Sequence, residues 1–130
     1  MIVITSTSTP VVNGEWLTPG THVNAAGSNH RRRRELDTEA VTRSAVIVAD
    51  DVEQAMIECG DLIQPIEQGL LSWQKVHGLS DVVAGAVQGR TGDDDITLFE
   101  SQGMALEDIA VGSVVYRLAS ERGIGRKLPS

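Results

Sequence analysis

The chain has 130 residues, 41% hydrophobic and 22% charged, which suits one globular domain and is too short for two. Its net charge of -7 argues against non-specific nucleic-acid binding, because a polyanion would be repelled by most of the surface. No apolar run approaches the roughly 18 residues of a membrane span. The single cysteine, Cys59, fits a reducing cytoplasm, where we expect the protein to reside.

Four apolar segments predict strands. The first, IVITST (2–7), lacks polar alternation, which predicts a strand buried on both faces. Proline, glycine and Asn-Gly then mark a loop over 9–20. The other predicted strands are 21–27, 45–50 and the segment around 96–99.

Capping residues separate these strands from helices. Asp37 precedes one helix, Asp50 or Asp51 precedes a second that closes at Gly60, and Pro65 is expected to start a third. The clearest helix is the last, in which apolar residues recur from Met104 onwards. The predicted helices are 38–45, 52–60, a stretch within 62–72, 79–87 and 104–123.

Strands that alternate with helices predict an α/β fold with a parallel sheet of about four strands and a long C-terminal helix. Such sheets bind ligands beyond the carboxyl ends of their strands. Short polar residues follow the predicted strands there: Thr5-Ser6-Thr7, Asn24 to Asn29, and Asp50-Asp51. This pattern is typical of a nucleotide site, but strand ends carry turn residues in any protein, so both interpretations stay open.

Six segments carry a resemblance across nearly the whole chain. They are ITSTS (4–8), GEWLTPGTHVNAAGSN (14–29), RRELDTEAV (33–41), GDLIQPIEQGLL (60–71), GRTGDDDITLFESQGMALEDIAVGSVVY (89–116) and ERGIG (121–125). In this order they resemble the carboxyl half of the nicotinamide-binding domain of the ornithine cyclodeaminase and mu-crystallin family. That family's glycine-rich phosphate fingerprint and its separate substrate domain are not among them. The resemblance implies one Rossmann-like half-domain over 1–130.

The implied function is that of a truncated or stand-alone fragment of an NAD(P)-dependent amino- or imino-acid oxidoreductase. Without the phosphate-binding turn it is expected to bind NAD or NADP weakly and not to be catalytically competent alone. Two alternatives stay open. One is a non-enzymatic oligomerising or binding module that reuses the half-fold without a cofactor, and the other is one component of a split enzyme.

The resemblance also implies site residues. Cofactor contacts are expected from Thr5, Ser6, Thr7, Asn24, Ala25, Gly27, Ser28, Ser101 and Gly103. Asn29 stands where the cyclodeaminases carry an Asp that acts on the substrate amine. An amide cannot accept a proton at neutral pH, so Asn29 disfavours the cyclodeaminase reaction and leaves a reductase or dehydrogenase open. A turn over 27–29 and helix capping by Ser101 are the competing structural explanations.

Two charged runs have ordinary explanations. Arg31 to Arg34 could clamp an anion, but a solvated loop or pairing with Glu35 and Asp37 is favoured. Asp93 to Asp95 predict a solvated loop and no metal site, because three consecutive acids do not share one face of a strand or helix.

The partner expectation follows from the first strand. In the full domain it would lie against the fingerprint strand, so here it leaves an apolar edge. We expect a homodimer or higher oligomer that buries this edge or the last helix, or a separate protein that supplies the missing half. No nucleic-acid or membrane partner is expected.

Overall fold

The computed structural model describes residues 1–126 and 128 and contains a five-stranded, wholly parallel sheet. In space the strands follow the order β1-β2-β5-β3-β4. The strands are β1 (Ile2–Val3), β2 (His22–Ala25), β3 (Val46–Ala49), β4 (Val76–Gly78) and β5 (Thr97–Glu100). The predicted α/β class and parallel sheet are confirmed, with one strand more than the four expected. The additional strand, β4, is three residues long and carries too few apolar residues to stand out in the sequence.

Five α-helices connect or follow the strands. They are α1 (Thr38–Thr42), α2 (Val52–Glu58), α3 (Gly60–Glu67), α4 (Leu79–Val83) and α5 (Ala105–Glu121), with 3-10 turns at Gly14–Trp16 and Trp73–Lys75. Two predicted caps are present: the Asp37 carboxylate accepts from the Ala40 N–H at 2.7 Å, and Asp51 accepts from the Gln54 N–H at 2.9 Å. These bonds satisfy N–H groups that a helix start leaves free.

The second helix does not close on a glycine. Gly60 is instead the first residue of α3, and Pro65 lies inside that helix rather than at its start. A Cβ at Gly60 would overlap the Arg33 carbonyl oxygen, so glycine is needed for close approach to the preceding loop.

The prediction that 2–7 forms a strand buried on both faces is wrong. Only Ile2 and Val3 pair with β2, opposite Asn24 and Ala25, and β1 is an edge strand of the sheet. Ile2 is 75% exposed, whereas Val3 belongs to the core. An edge strand such as β1 is paired along one edge only and is covered on one face. The continuous apolar run at 2–7 is therefore more than this position requires.

The core lies on one side of the sheet. Side chains of β2, β3 and β5 alternate between two faces, and one set is almost wholly buried with α1, α2 and α3: Val23, Ala25, Ile47, Ala49, Leu98 and Glu100. We call this the covered face. The other set forms the open face, where Thr97 is buried and the remaining residues are half-buried or exposed: His22, Asn24, Val46, Val48, Thr97 and Phe99.

The long helix α5 stands apart from this core. All 17 of its residues are in the described part of the chain, and none of them is buried. Gly123, with φ +63°, ends it in the left-handed conformation, as predicted. In the described part of the chain, no helix combines the length and apolar character that crossing a membrane requires.

Candidate functional site

The carboxyl ends of the parallel strands meet at one edge of the sheet, which we call the carboxyl edge. It is formed by the segments that follow β1, β2, β3 and β5, namely 4–7, 26–29, 50–51 and 101–103. This is where an open α/β sheet holds its ligands.

A buried carboxylate ties two of these ends together. Glu35 is wholly buried, and its two oxygens accept hydrogen bonds from the backbone N–H groups of Thr5 and Gly27, the latter at 2.7 Å. A Cβ at Gly27 would overlap the Thr5 carbonyl oxygen. Glycine is therefore required here by the close approach of β1 and β2, which is the structural explanation of the Gly-Ser-Asn bend.

The loop that carries Glu35 is closed onto the start of α3. One oxygen of Asp61 accepts from the N–H groups of Glu35 and Leu36, both at 2.9 Å. The Ser28 hydroxyl donates to the Arg33 carbonyl at 3.0 Å and accepts from the Asp61 N–H at 3.2 Å. Ser28 is 1% exposed and is fully used within the protein.

A second carboxylate organises the end of β5. One oxygen of Asp50 accepts from the Ser101 hydroxyl at 3.1 Å and from the N–H groups of Gln102 and Gly103 at 2.8 Å each. Ser101 therefore does not cap α5; Met104 occupies the capping position and makes no side-chain hydrogen bond there.

Burial controls the ionisation of the acids at this edge. It raises the pKa of Asp61 to about 6, against the lowering effect of the Leu36 and Glu35 N–H bonds. Burial, and then the charge of Asp61, raises the pKa of Glu100 well above its usual value. The Cys59 thiol lies 3.5 Å from Glu100, and burial raises its pKa too, so it stays protonated and unreactive.

The arginine run divides into exposed and buried members. Arg31 pairs with Glu67 at 3.0 Å on the surface. Arg34 is buried and donates to Gln64 and Thr38, with its Nε 4.0 Å from Asp61. The predicted pairing of the run with Glu35 and Asp37 is wrong, since Glu35 is occupied by N–H groups and Asp37 caps α1.

The acidic run at 93–95 folds on itself. The Asp95 carboxylate accepts hydrogen bonds from the N–H and the hydroxyl of Thr91 and from the Gly92 N–H, at 2.8–3.0 Å. These bonds lower the pKa of Asp95 and account for the acid as a loop-forming residue.

Three of the expected contact residues lie at the first strand end. Thr5 and Ser6 are exposed and Thr7 is half-buried. The Thr7 hydroxyl donates to the Thr9 carbonyl at 2.8 Å, and the Thr5 N–H is taken by Glu35. Together with Gly27, Ser28, Ser101 and Gly103, these residues share the carboxyl edge.

Three other expected site residues lie elsewhere. Asn24 is on the open face, where its side-chain oxygen is 3.3 Å from the His22 ring. Ala25 is in the core, on the covered face. Asn29 is exposed and forms an isolated antiparallel bridge with Cys59, so its backbone joins the bend to the start of α3.

The residues that sequence reasoning missed are mostly buried acids. Asp61 and Glu100 were not singled out, and neither was Gln102, whose side-chain amide is buried with both polar atoms unpartnered. One oxygen of Glu100 and one of Asp61 are unpartnered as well. A signal was available for Glu100, an acid that directly follows the apolar residues Leu98 and Phe99 at the end of β5.

The family model for the ornithine cyclodeaminase/mu-crystallin family matches residues 1–123. The chain belongs to this family.

Members of the family with an assigned activity are similar over almost all of the chain. Alanine dehydrogenase of Archaeoglobus fulgidus is 38% identical over 129 residues, which are 98% of this chain and 39% of that protein. Delta(1)-pyrroline-2-carboxylate reductase of Bacillus cereus is also 38% identical, over 98% of this chain and 40% of its own length.

A solved structure is likewise similar over almost all of this chain. The Thermococcus litoralis Delta(1)-pyrroline-2-carboxylate reductase, in complex with NADH and L-proline, superposes with a TM-score of 0.89 and 40% identity. That superposition covers 98% of this chain and 39% of the reductase. The chain therefore spans about two fifths of the length of the relatives it matches.

Proposed function

We propose that this chain is the nicotinamide-side half of a dinucleotide-binding domain, related to the amino- and imino-acid oxidoreductases of the family and not catalytically competent alone. The observation that carries the proposal is the superposition of 98% of the chain on a reductase that holds NADH and L-proline. An iminosuccinate reductase of Paracoccus denitrificans in complex with NAD+ superposes with a TM-score of 0.85 and 33% identity.

The hydrogen bonds at the carboxyl edge decide which part of a dinucleotide fits. The N–H groups of Thr5, Gly27, Gln102 and Gly103 all donate to Glu35 or Asp50. Free N–H groups are what hold a phosphate at such an edge, and these four are already used. Two carboxylates here also repel a diphosphate, so this chain does not provide the phosphate grip.

The nicotinamide end of a dinucleotide fits the carboxyl edge better than its diphosphate does. Its carboxamide offers N–H donors and a carbonyl acceptor. The Gln102 side chain presents the complementary pair, and both of its polar atoms are buried without a partner. A buried amide in this state costs free energy that a ligand can recover. Bound nicotinamide would supply hydride transfer, and this chain would orient the ring.

The reaction type is inferred from Asn29. Relatives near 38% identity include a dehydrogenase, a reductase and a probable ornithine cyclodeaminase, so identity alone does not separate these activities. Asn29 offers no proton acceptor at the bend. This observation favours descent from a reductase or dehydrogenase of amino or imino acids.

Calorimetric titration with NADH and NADPH, up to millimolar concentrations, tests the proposal. We expect saturable, weak binding that Gln102→Leu reduces about tenfold, which is the effect of losing a paired amide. Gln68→Leu removes an exposed amide and is the matched control. Absence of binding by both nucleotides would contradict the proposal.

An activity assay tests the second half of the proposal. The chain alone, with NADH and 1-pyrroline-2-carboxylate or iminosuccinate, is expected to show no turnover. Steady NADH oxidation by the purified chain would contradict this expectation. It would show that turnover needs neither a phosphate-binding turn nor the three fifths of the relatives' length that the chain does not match.

A further inference from the structure

Asp50 is a buried acid that is held by N–H and hydroxyl donors instead of a cation. It is 6% exposed, and in the described part of the chain it forms no ion pair. Its Oδ1 accepts from the Asp51 N–H at 2.8 Å. Its Oδ2 accepts from three groups that follow β5, which are the Ser101 hydroxyl and the N–H groups of Gln102 and Gly103. Hydrogen bonds to a charged acceptor are stronger than neutral ones, so this carboxylate is a firm anchor at the carboxyl edge.

The anchor fixes the backbone of Gln102 from both sides. The N–H of Gln102 precedes its Cα and the N–H of Gly103 follows it, and both donate to the same oxygen at 2.8 Å. Because a peptide unit is planar, the two units that flank this Cα are held, and with them the direction of the Cα–Cβ bond. Gly103 continues the turn with φ +85°, and nothing lies within 4 Å of the place of a Cβ there. Glycine is therefore favoured at 103 by conformation and not by crowding.

Asp50 is itself tied to the sheet. It follows Ala49, which lies opposite Glu100 in the pairing of β3 with β5. The Asp50 N–H donates to the Glu100 carbonyl at 3.1 Å, and the Ser101 N–H donates to the Ala25 carbonyl at 2.9 Å. The anchor therefore refers the position of Gln102 to the ends of three strands, β2, β5 and β3.

The residue that the anchor holds has unused hydrogen-bonding capacity. Gln102 is 8% exposed, and neither its Oε1 nor its Nε2 has a partner among the described residues. An amide pairs with another amide only when donor and acceptor are both in place, and a displacement of about 1 Å is enough to spoil such a site. A glutamine side chain has several rotatable bonds. If its backbone were free as well, a ligand would have to order both on binding.

We propose that Asp50 is a positioning residue for dinucleotide binding, which holds the backbone of Gln102 so that its side-chain amide meets the nicotinamide carboxamide. This inference rests on the proposed function, because it concerns the same contact. Asp50 acts through Gln102 and does not itself touch the nicotinamide. Energetic coupling is reciprocal, so nicotinamide binding and the hydrogen bonds of Asp50 strengthen each other.

A double-mutant cycle measures whether Asp50 acts through Gln102. Asp50→Asn keeps the shape of the side chain, but an amide has one acceptor oxygen and must turn its NH2 group toward N–H donors on one side. We expect it to weaken NADH binding about fivefold in calorimetry, and to have no further effect, within about twofold, in a Gln102→Leu background. Asp51→Asn is the matched control. It removes the same charge at the neighbouring residue, and its amide oxygen can still accept from the Gln54 N–H.

The outcomes separate this inference from the proposed function. Absence of NADH binding by the wild type overturns both. Binding by the wild type that Asp50→Asn leaves unchanged overturns the positioning role alone. So does an equal weakening with and without the Gln102 side chain, which is what a merely structural role predicts, because damage to the fold acts in both backgrounds.

Hydrogen exchange in the wild-type chain gives a test that needs no variant to fold. NADH at millimolar concentration should slow exchange of the Gln102 and Gly103 N–H groups about fivefold more than that of the Gln54 N–H, which donates to Asp51. Equal slowing of all three groups would show general stabilisation of the folded chain by the ligand and would overturn the positioning role.

Discussion

The two faces of the sheet come from the same strands and differ in what covers them. On the covered face, Val23, Ile47 and Leu98 are 1–2% exposed under three helices. On the open face, Val46, Val48 and Phe99 remain partly exposed. In β3 the residue types of the two faces hardly differ, since VIVA is apolar at every position. In β2 they do differ, since His22 and Asn24 lie on the open face and Val23 and Ala25 on the covered face. It is therefore β3 that is suited to a cover on both faces.

This comparison explains how sequence and structure disagree. The β-branched run of β3 is suited to burial on both faces, but the described residues provide a layer of helices on one face only. Local patterns report the environment for which a strand is suited. They do not report whether that environment is built by the same chain.

Among substitutions on the covered side of the sheet, Gly27→Ala is expected to reduce the free energy of unfolding most. Gly27→Ala places a Cβ on the Thr5 carbonyl and separates the ends of β1 and β2. We expect a loss of about 4 kcal/mol or more in the free energy of unfolding, measured by urea denaturation, because a backbone clash inside the sheet cannot relax.

The control for Gly27 lies beside the open face. Gly89→Ala brings its Cβ only to ordinary contact, 3.9 Å from Val82. It should change the free energy of unfolding by less than about 0.5 kcal/mol. Equal effects of the two substitutions would show that the approach of β1 to β2 is not as tight as described.

Adjacent residues of β5 give the direct comparison of the faces. Leu98→Ala should cost about 2–5 kcal/mol in the free energy of unfolding, the range for a fully buried leucine. Phe99→Ala removes a larger side chain from the open face, but because Phe99 is only half-buried it should cost less than Leu98→Ala. A larger loss at Phe99 would mean that the open face is covered.

The sequence predicted the carboxyl edge better than it predicted the contacts there. The polar residues after apolar runs predicted that the segments holding Thr5, Gly27 and Asp50 meet, since parallel strands end at one side, and these three segments do lie at the carboxyl edge. It did not reveal that Glu35 and Asp50 bind the N–H groups of that edge, because both partners of such bonds are distant in the chain. Glu35 is 30 residues from Thr5, and Asp50 is 53 from Gly103.

The buried acids under the covered face predict a pH effect of definite sign. Asp61 has a pKa of about 6 in the folded chain against 3.8 as the reference, so the folded state binds the proton more tightly. Its contribution to stability is present below pH 3.8 and is lost as the pH rises through 6, by about 3 kcal/mol in all. Glu100, whose pKa is also raised, acts in the same direction.

The substitution Asp61→Asn isolates the pH-dependent contribution of Asp61 to stability. The amide oxygen still accepts from the Glu35 and Leu36 N–H groups, but the group no longer titrates. Relative to the wild type, the variant should become more stable by urea denaturation at pH 7 than at pH 4. Asp94→Asn, at an exposed acid, should show no such trend. A wild-type minus variant difference that is flat with pH would contradict the raised pKa.

The smallest expected losses of stability distinguish two arginines of the run, Arg34 and Arg31. Arg34→Ala removes donors to Gln64 and Thr38 and a cation 4.0 Å from buried Asp61, so a loss of about 1–3 kcal/mol is expected by thermal or urea denaturation. Arg31→Ala removes a pair with Glu67 in which both side chains are about three fifths exposed, and solvent screening keeps the loss within about 0.5 kcal/mol. An equal loss at Arg31 would contradict the division of the run, because it would show that the surface pair with Glu67 stabilises the fold as much as the buried contacts of Arg34 do.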